Sequence, residues 1–257
     1  MSDIYAMTML ALLGLAVGSF LNVCIHRLPE HKSVVSPGSR CPGCGYELRW
    51  YDNIPLVSYA LLGGRCRSCR APISIRYPII EVVTMVVFLA HYWVIGPDIV
   101  LVPRLLFASI LIVLFAIDLE HHLLPNAITL PGIVIGLLFS VLLPPGIVSA
   151  ALGALIGGGS LWLIGEAYYR FSGQEGMGGG DVKMLAMIGA FLGWKLAIVT
   201  LVFSSIAGAL IGVLVLAIKK GGLKYALPYG TFLALGALVA SLFGDQIVAW
   251  YVGLYAI

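Results

Sequence analysis

The feature that most constrains this chain is a succession of apolar runs, most close to the roughly 18 to 20 residues that carry a helix across about 30 Å of hydrocarbon. They lie at 4–25, 75–95, 100–117, 127–143, 148–169, 182–192, 196–218 and 229–254. Hydrocarbon satisfies no exposed backbone group, so such runs fold as helices. A soluble fold is excluded by the same pattern: 60% of the 257 residues are hydrophobic, 11% are charged and the mean hydropathy is +1.02, which would leave too much apolar surface in water. The expected fold is an all-α polytopic membrane protein with about eight transmembrane helices. The run at 182–192 is short for a span and is expected to be tilted, partly re-entrant, or prolonged by Gly193 and Trp194.

Charge sets the expected orientation. The net charge is only +3, but eight of the fifteen Lys and Arg residues fall between Arg27 and Arg76. Such a cluster speaks of topology and not of nucleic acid, because cytoplasmic loops carry the Lys/Arg excess. The segment is also rich in turn formers, among them Pro29, Pro37, Pro42, Gly43, Gly63 and Gly64, and reads as a small cytoplasmic module between helices 1 and 2. The chain then divides into a first transmembrane helix (1–26), this module (27–74) and a membrane-embedded core (75–257). The first run lacks a basic leader region and continues into Asn22, Cys24 and His26, so it is read as a retained helix with its N-terminus outside. Threading from there puts 121–126, 170–181 and the cluster Lys219, Lys220 and Lys224 inside, with 96–98 and 144–146 outside. Arg104 and Lys195 fall on the wrong side and are expected to snorkel to the outer interface.

Charges at the edge of hydrocarbon are costly, and they mark a pathway, a partner or a reaction. Asp118 closes the third run in AIDLEHHLLPN, and Asp181 opens the sixth in GMGGGDVKMLAMIGAFLGW. Two neighbouring carboxylates share a proton, and such a pair activates water against a peptide carbonyl. The glycines ahead of Asp181, with Gly178, Gly179 and Gly180 as candidate substrate-binding positions, can lie against an extended peptide or take positive φ. A plainer reading stands beside this one: Asp181 as an ordinary N-cap, Asp118 as a helix-end residue and the glycines as a loop. A transporter passing ions or protons along membrane-edge carboxylates would use the same residues. Glu81, Glu166 and Lys183 are expected to pair with one another, with Arg76 or with Arg170, and His121 and His122 read as interfacial.

CPGC at 41–44 and CRSC at 66–69, separated by 21 residues, have the spacing of a four-thiolate zinc site built from two knuckles. Cys41, Cys44, Cys66 and Cys69 would fill a tetrahedral shell and leave no position for water. The metal is therefore expected to staple a module too small for its own core. Free or redox-active thiols are the alternative. Cys24 has no nearby partner and reads as a small buried residue.

The two aspartate segments, in order with GSFLNVCIHRLP (18–29), ISIRYPIIEVVT (73–84) and LPYGTFLALGA (227–237), resemble those of the prepilin peptidases. Gly178, Gly180 and Asp181 match that family's glycine-x-glycine-aspartate motif, and Asp118 matches its first aspartate. The resemblance implies an aspartic endopeptidase of the bacterial inner membrane. Its substrates would be type IV prepilins or the pseudopilins of type II secretion, cut behind a short basic leader at the cytoplasmic face, with Asp118 and Asp181 catalytic. It further implies N-methylation of the new terminus with S-adenosylmethionine as donor, for which no residues can be assigned. The chain departs from the family pattern at Asn126, where an acidic residue is common, and at Tyr229, Gly230 and Thr231, where Phe-Gly-Pro is common. Neither change is expected to touch the dyad, leaving only substrate preference open.

Overall fold

The computed structural model describes residues 2–174, 176–218 and 227–254; the basic cluster Lys219, Lys220 and Lys224 lies outside them. Among the described residues there are no strands, only two isolated bridges, Arg40 with Glu47 and Arg65 with Pro72. The helices are α1 (Ser2–Arg27), the single turn α2 (Val57–Leu61), α3 (Arg76–Ile95), α4 (Leu101–His121), α5 (Asn126–Leu142), α6 (Ile147–Ser172), α7 (Gly179–Ile218) and α8 (Tyr229–Gly253). Six of them, α1, α3, α4, α6, α7 and α8, are long and apolar enough to cross a membrane, and α5 is a shorter apolar helix. The two runs around Leu192 are joined into one 40-residue helix that breaks at Gly193, where φ 80° and ψ 171° interrupt the ladder. Its limbs, 179–192 and 194–218, account for both runs, so eight apolar segments become eight helical ones.

Two compact units divide the chain, Met1–Leu101 and Val102–Ile257. In the first, α1 packs along α3 through Gly14 and Gly18. A Cβ at Gly14 would stand 2.7 Å from the Met85 Cα, and one at Gly18 would stand 2.7 Å from the Glu81 Cα. Small residues four apart let two backbones meet where lipid supplies no hydrophobic drive between helices. Asn22 locks the pair, donating from Nδ2 to Gly18 O at 3.2 Å and to Tyr77 O at 3.0 Å.

In the second unit, α7 packs against α5, α6 and α8. Its buried face (Met184, Leu185, Met187, Ile188) shares one cluster with Phe107, Leu111 and Leu114 of α4 and with Leu233 and Ala237 of α8, and the Phe107 and Phe191 rings stack at 4.8 Å. The rest of the surface is lipid-like: Leu138, Leu155 and Leu210 are 64%, 72% and 67% exposed. Arg104 donates to Ser241 Oγ at 3.4 Å and interacts with Asp245 on α8, and Lys195 lies over the Trp194 ring at 5.8 Å. Glu166 pairs with Arg170 as expected, at 2.8 Å.

The α6–α7 crossing is the tightest, since a Cβ at Gly153 or Gly189 would run into the other glycine's carbonyl. Backbone cannot yield as a side chain can, so Gly189→Val is expected to cost about 3 kcal/mol and to lower the melting temperature in detergent by several degrees. Gly159→Ala, which meets nothing within 4 Å, should leave it unchanged in the same thermal scan.

Candidate functional site

Asp118 occupies the last turn of α4 and is only 5% exposed. A carboxylate at a helix C-terminus faces the negative end of the dipole, and the compensation comes from the start of α8. Thr231 sits in the first turn of that helix, where backbone N–H groups have no intrahelical acceptor. Its N–H donates to Asp118 Oδ2 at 2.6 Å and its hydroxyl donates to the same oxygen at 3.0 Å. The departure at 229–231 therefore does touch the proposed dyad, contrary to expectation. A proline at 231 would supply neither donor, so the local sequence change alters how Asp118 is held. The signal was in the sequence as a departure, but only the fold brings residue 231 to residue 118.

Asp181 lies in the first turn of α7, half-buried, and the backbone of Gly178 hydrogen-bonds its carboxylate. Its carboxylate and that of Asp118 are close enough to interact electrostatically. Leu124, buried near the end of the first aspartate segment, lies against Gly180 and Gly230. A Cβ on Gly180 would stand 2.9 Å from the Leu124 Cβ, and a Cβ on Gly230 would stand 2.9 Å from both the Leu124 Cδ1 and the Asp118 Oδ2. At Gly178 a Cβ would sit 3.3 Å from Asp181 Oδ2, whereas Gly179 has open space around it. None of Gly178, Gly179 and Gly180 takes a positive φ. At 178 and 180 the missing side chain is used for close approach, not for backbone freedom.

Around the pair, Lys183 does not reach a carboxylate but donates to Asn126 Oδ1 at 2.8 Å. The two residues that flank the aspartate motifs are thus linked. Tyr229 interacts electrostatically with Asp181 and hydrogen-bonds Ser205 at 3.1 Å. It borders an apolar cavity of about 300 Å³ whose walls include Leu161, Met177, Leu201 and Phe232. His121 and His122 are exposed.

The cysteines come from the first unit and form two knuckles of one design. In each, the first Cys donates its N–H to the carbonyl five residues on (Cys41 to Tyr46 at 2.9 Å, Cys66 to Ala71 at 2.8 Å). In each, its carbonyl also accepts from the residue four on, Gly45 or Arg70. Both of those residues have positive φ, 72° and 60°, and the flanking residues close the bridges Arg40–Glu47 and Arg65–Pro72. The four sulfurs lie within 4.8 Å of one another, with Cys41–Cys69 at 3.8 Å and Cys44–Cys66 at 4.0 Å. A tetrahedral ion with metal–sulfur bonds of about 2.3 Å needs sulfurs about that far apart, so the cluster can hold a metal ion. The N–H groups of Cys69 and Ser68 hold the Cys66 thiol down at about 7. The Ala71 N–H lowers Cys69, but its thiol neighbours and burial outweigh that and push it up to about 11. Asp52 ties the knuckles together, accepting from Arg67 Nε at 2.7 Å, Arg49 N–H at 3.1 Å and Tyr46 OH at 3.4 Å. Burial alone would raise its carboxyl; the Arg67 guanidinium and the Arg49 N–H hold it below the ordinary carboxylate range. Cys24 is buried in α1, outside this cluster.

Residues 12–95 match the family profile described as the bacterial peptidase A24 N-terminal domain, and residues 105–213 match the type IV leader peptidase family. The chain is 37% identical to a prepilin leader peptidase/N-methyltransferase of Pseudomonas putida, over 97% of this chain and 94% of that one. It is 38% identical to proteins of the same name from Pseudomonas aeruginosa (93% of this chain, 91% of the relative) and Legionella pneumophila (94% and 93%). No solved structure matches. Two successive family domains and relatives aligned along nearly the whole chain lead to one conclusion: it belongs to the type IV leader peptidase family.

Proposed function

We propose that this protein is a prepilin leader peptidase and N-methyltransferase of the bacterial inner membrane, with Asp118 and Asp181 as its catalytic dyad. The observation that carries the reading is the convergence of two carboxylates, 63 residues apart in sequence, at two helix ends flanked by side-chain-free backbone. One carboxylate accepts the proton of a water as it attacks the scissile carbonyl, and the other hands a proton to the carbonyl oxygen. Gly178 and Gly180 give the extended substrate its approach, with Gly179 beside them, and the apolar cavity beside Tyr229 receives an apolar side chain next to the cut. Thr231 holds Asp118 by Oδ2 and leaves Oδ1 towards the water. The transporter reading has no support among the relatives.

The substrates are prepilins or pseudopilins, and the N-terminus lies outside with the cysteine module and the dyad on the cytoplasmic side. Eight basic residues between Arg27 and Arg76 support this orientation. Cys41, Cys44, Cys66 and Cys69 hold a structural zinc ion, a full thiolate shell being suited to stapling and not to activating water. Methyl transfer follows cleavage. The new terminal amine attacks the methyl carbon of S-adenosylmethionine, the N–C bond forms as the C–S bond breaks, sulfur keeps the electron pair as S-adenosylhomocysteine, and the amine sheds a proton to water.

Asp118→Asn and Asp181→Asn should each lower leader removal by roughly a thousandfold, read by mass spectrometry of a prepilin N-terminus incubated with membranes. Full cleavage by either variant sinks the dyad. Thr231→Val keeps the backbone donor and loses the hydroxyl, so kcat should fall about tenfold at nearly unchanged KM, while Thr231→Ser should retain the wild-type rate. Purified protein should carry about one zinc per chain by elemental analysis, and Cys66→Ser should lose that zinc and lower the melting temperature. A metal-free wild type of equal stability would remove the zinc assignment.

A further inference from the structure

Two of the sequence segments quoted for the family resemblance, 18–29 and 73–84, belong to the first unit, whereas Asp118 and Asp181 belong to the second. The two segments supply the walls of a large cavity within the first unit. It measures about 1060 Å³ and extends from the ends of α1 and α3 into the cysteine module. Ligand pockets of drug-sized molecules run to about 300 to 1,000 Å³, so this one admits a nucleoside-bearing ligand.

Its chemistry is specific at one end. Asn22 is 1% exposed, and both groups facing its amide nitrogen are carbonyls, Gly18 O and Tyr77 O. That fixes which way the amide points, and it leaves Asn22 Oδ1 buried with no hydrogen-bond partner among the described residues. A buried acceptor left unsatisfied costs about 1–3 kcal/mol, so its persistence points to a donor that arrives with a ligand. Close by, Glu81 is 7% exposed and pairs with no cation among the described residues: its carboxylate accepts from the Leu56 N–H at 2.9 Å and from Ser19. Gly18, one turn before Asn22, touches the Glu81 backbone, so the two acceptors are neighbours on facing helices. Leu56 is itself held at φ 60° and ψ −45°, in a γ-turn closed by Val57 N–H to Pro55 O at 2.6 Å, the strained form of that turn. His26, Arg27 and Arg76 line the same cavity at the helix ends, and Tyr46, Tyr59 and Tyr77 add aromatic surface.

We propose that this cavity seats the methyl donor, with Asn22 and Glu81 receiving its α-ammonium group, the basic helix ends its carboxylate and the tyrosines its purine. The assignment rests on the methyl-transfer reading above. An ammonium group satisfies the vacant Asn22 acceptor and neutralises Glu81 together, through charge-assisted hydrogen bonds. A phospholipid headgroup with a primary amine shares the ammonium and anion pair, but it has no ring to place against the tyrosines and does not need a cavity reaching into the cysteine module.

The test uses the full chain in phosphatidylcholine nanodiscs and S-adenosylhomocysteine as probe, with calorimetry for binding. Glu81→Gln is isosteric, still accepts from Leu56 and Ser19, and loses only the charge. It should weaken probe binding at least about tenfold and raise by a similar factor the S-adenosylmethionine concentration that half-saturates the methylated fraction of cleaved termini. Asn22→Leu, checked by thermal melting, should act in the same direction. If the wild type methylates while Glu81→Gln binds and methylates within about twofold of it, the donor sits elsewhere and methyl transfer stands. If the wild type cleaves but neither methylates nor binds the probe, the methyl-transfer reading falls and this assignment with it. If phosphatidylethanolamine occupies the cavity and the probe does not compete with it, the cavity is a lipid site and the assignment is overturned.

Discussion

Hydrocarbon offers no hydrogen bonds, and the rest of this structure depends on that constraint. Every backbone group in the apolar core must find its partner inside a helix, so among the described residues irregular backbone falls at helix ends and at the break at Gly193. The residues with chemistry follow the irregular backbone. Asp118 closes α4, Asp181 opens α7, Thr231 opens α8, and the cysteines lie in the non-helical stretch between α1 and α3. A helix end leaves N–H and C=O groups unpaired, and these ends use that: the Thr231 N–H is spent on a carboxylate.

Small residues do two different jobs in this frame. Along the helices, Gly14 and Gly18 against α3, and Gly153 against Gly189, remove side chains so that backbones touch and helices pack without a hydrophobic drive between them. At the helix ends, Gly178, Gly180 and Gly230 remove side chains around two carboxylates and Leu124. The first use lets helices pack closely; the second leaves room beside the two carboxylates. The same residue type thus reads as packing or as site according to its neighbours, which sequence alone does not supply.

The first unit solves a separate problem. Its soluble stretch is too short to bury a core, and order comes from two knuckles of matching backbone geometry tied by Asp52 to Arg67, Arg49 and Tyr46. The cysteine cluster lies in the stretch that joins the ends of α1 and α3. Those ends in turn carry buried polar groups, Asn22 and Glu81, that nothing in the second unit's carboxylate chemistry requires.

Much of this was legible from the chain. The eight apolar runs, the four cysteines and the two aspartates at helix ends are local patterns, because helix formation in lipid and knuckle formation depend on residues close in sequence. The short run at 182–192 was legible as an oddity, and its resolution as one limb of a helix broken at Gly193 needed a backbone angle. Pairings between residues far apart in sequence could not be read. Glu81 caps the Leu56 N–H instead of meeting an arginine, Lys183 meets Asn126, Arg104 turns to Ser241, and Thr231 holds Asp118 from 113 residues away. Hydropathy and spacing determine which segments enter the membrane and what chemistry each end can offer. Which ends meet is decided only when helices pack, because that depends on the shapes of whole helix faces.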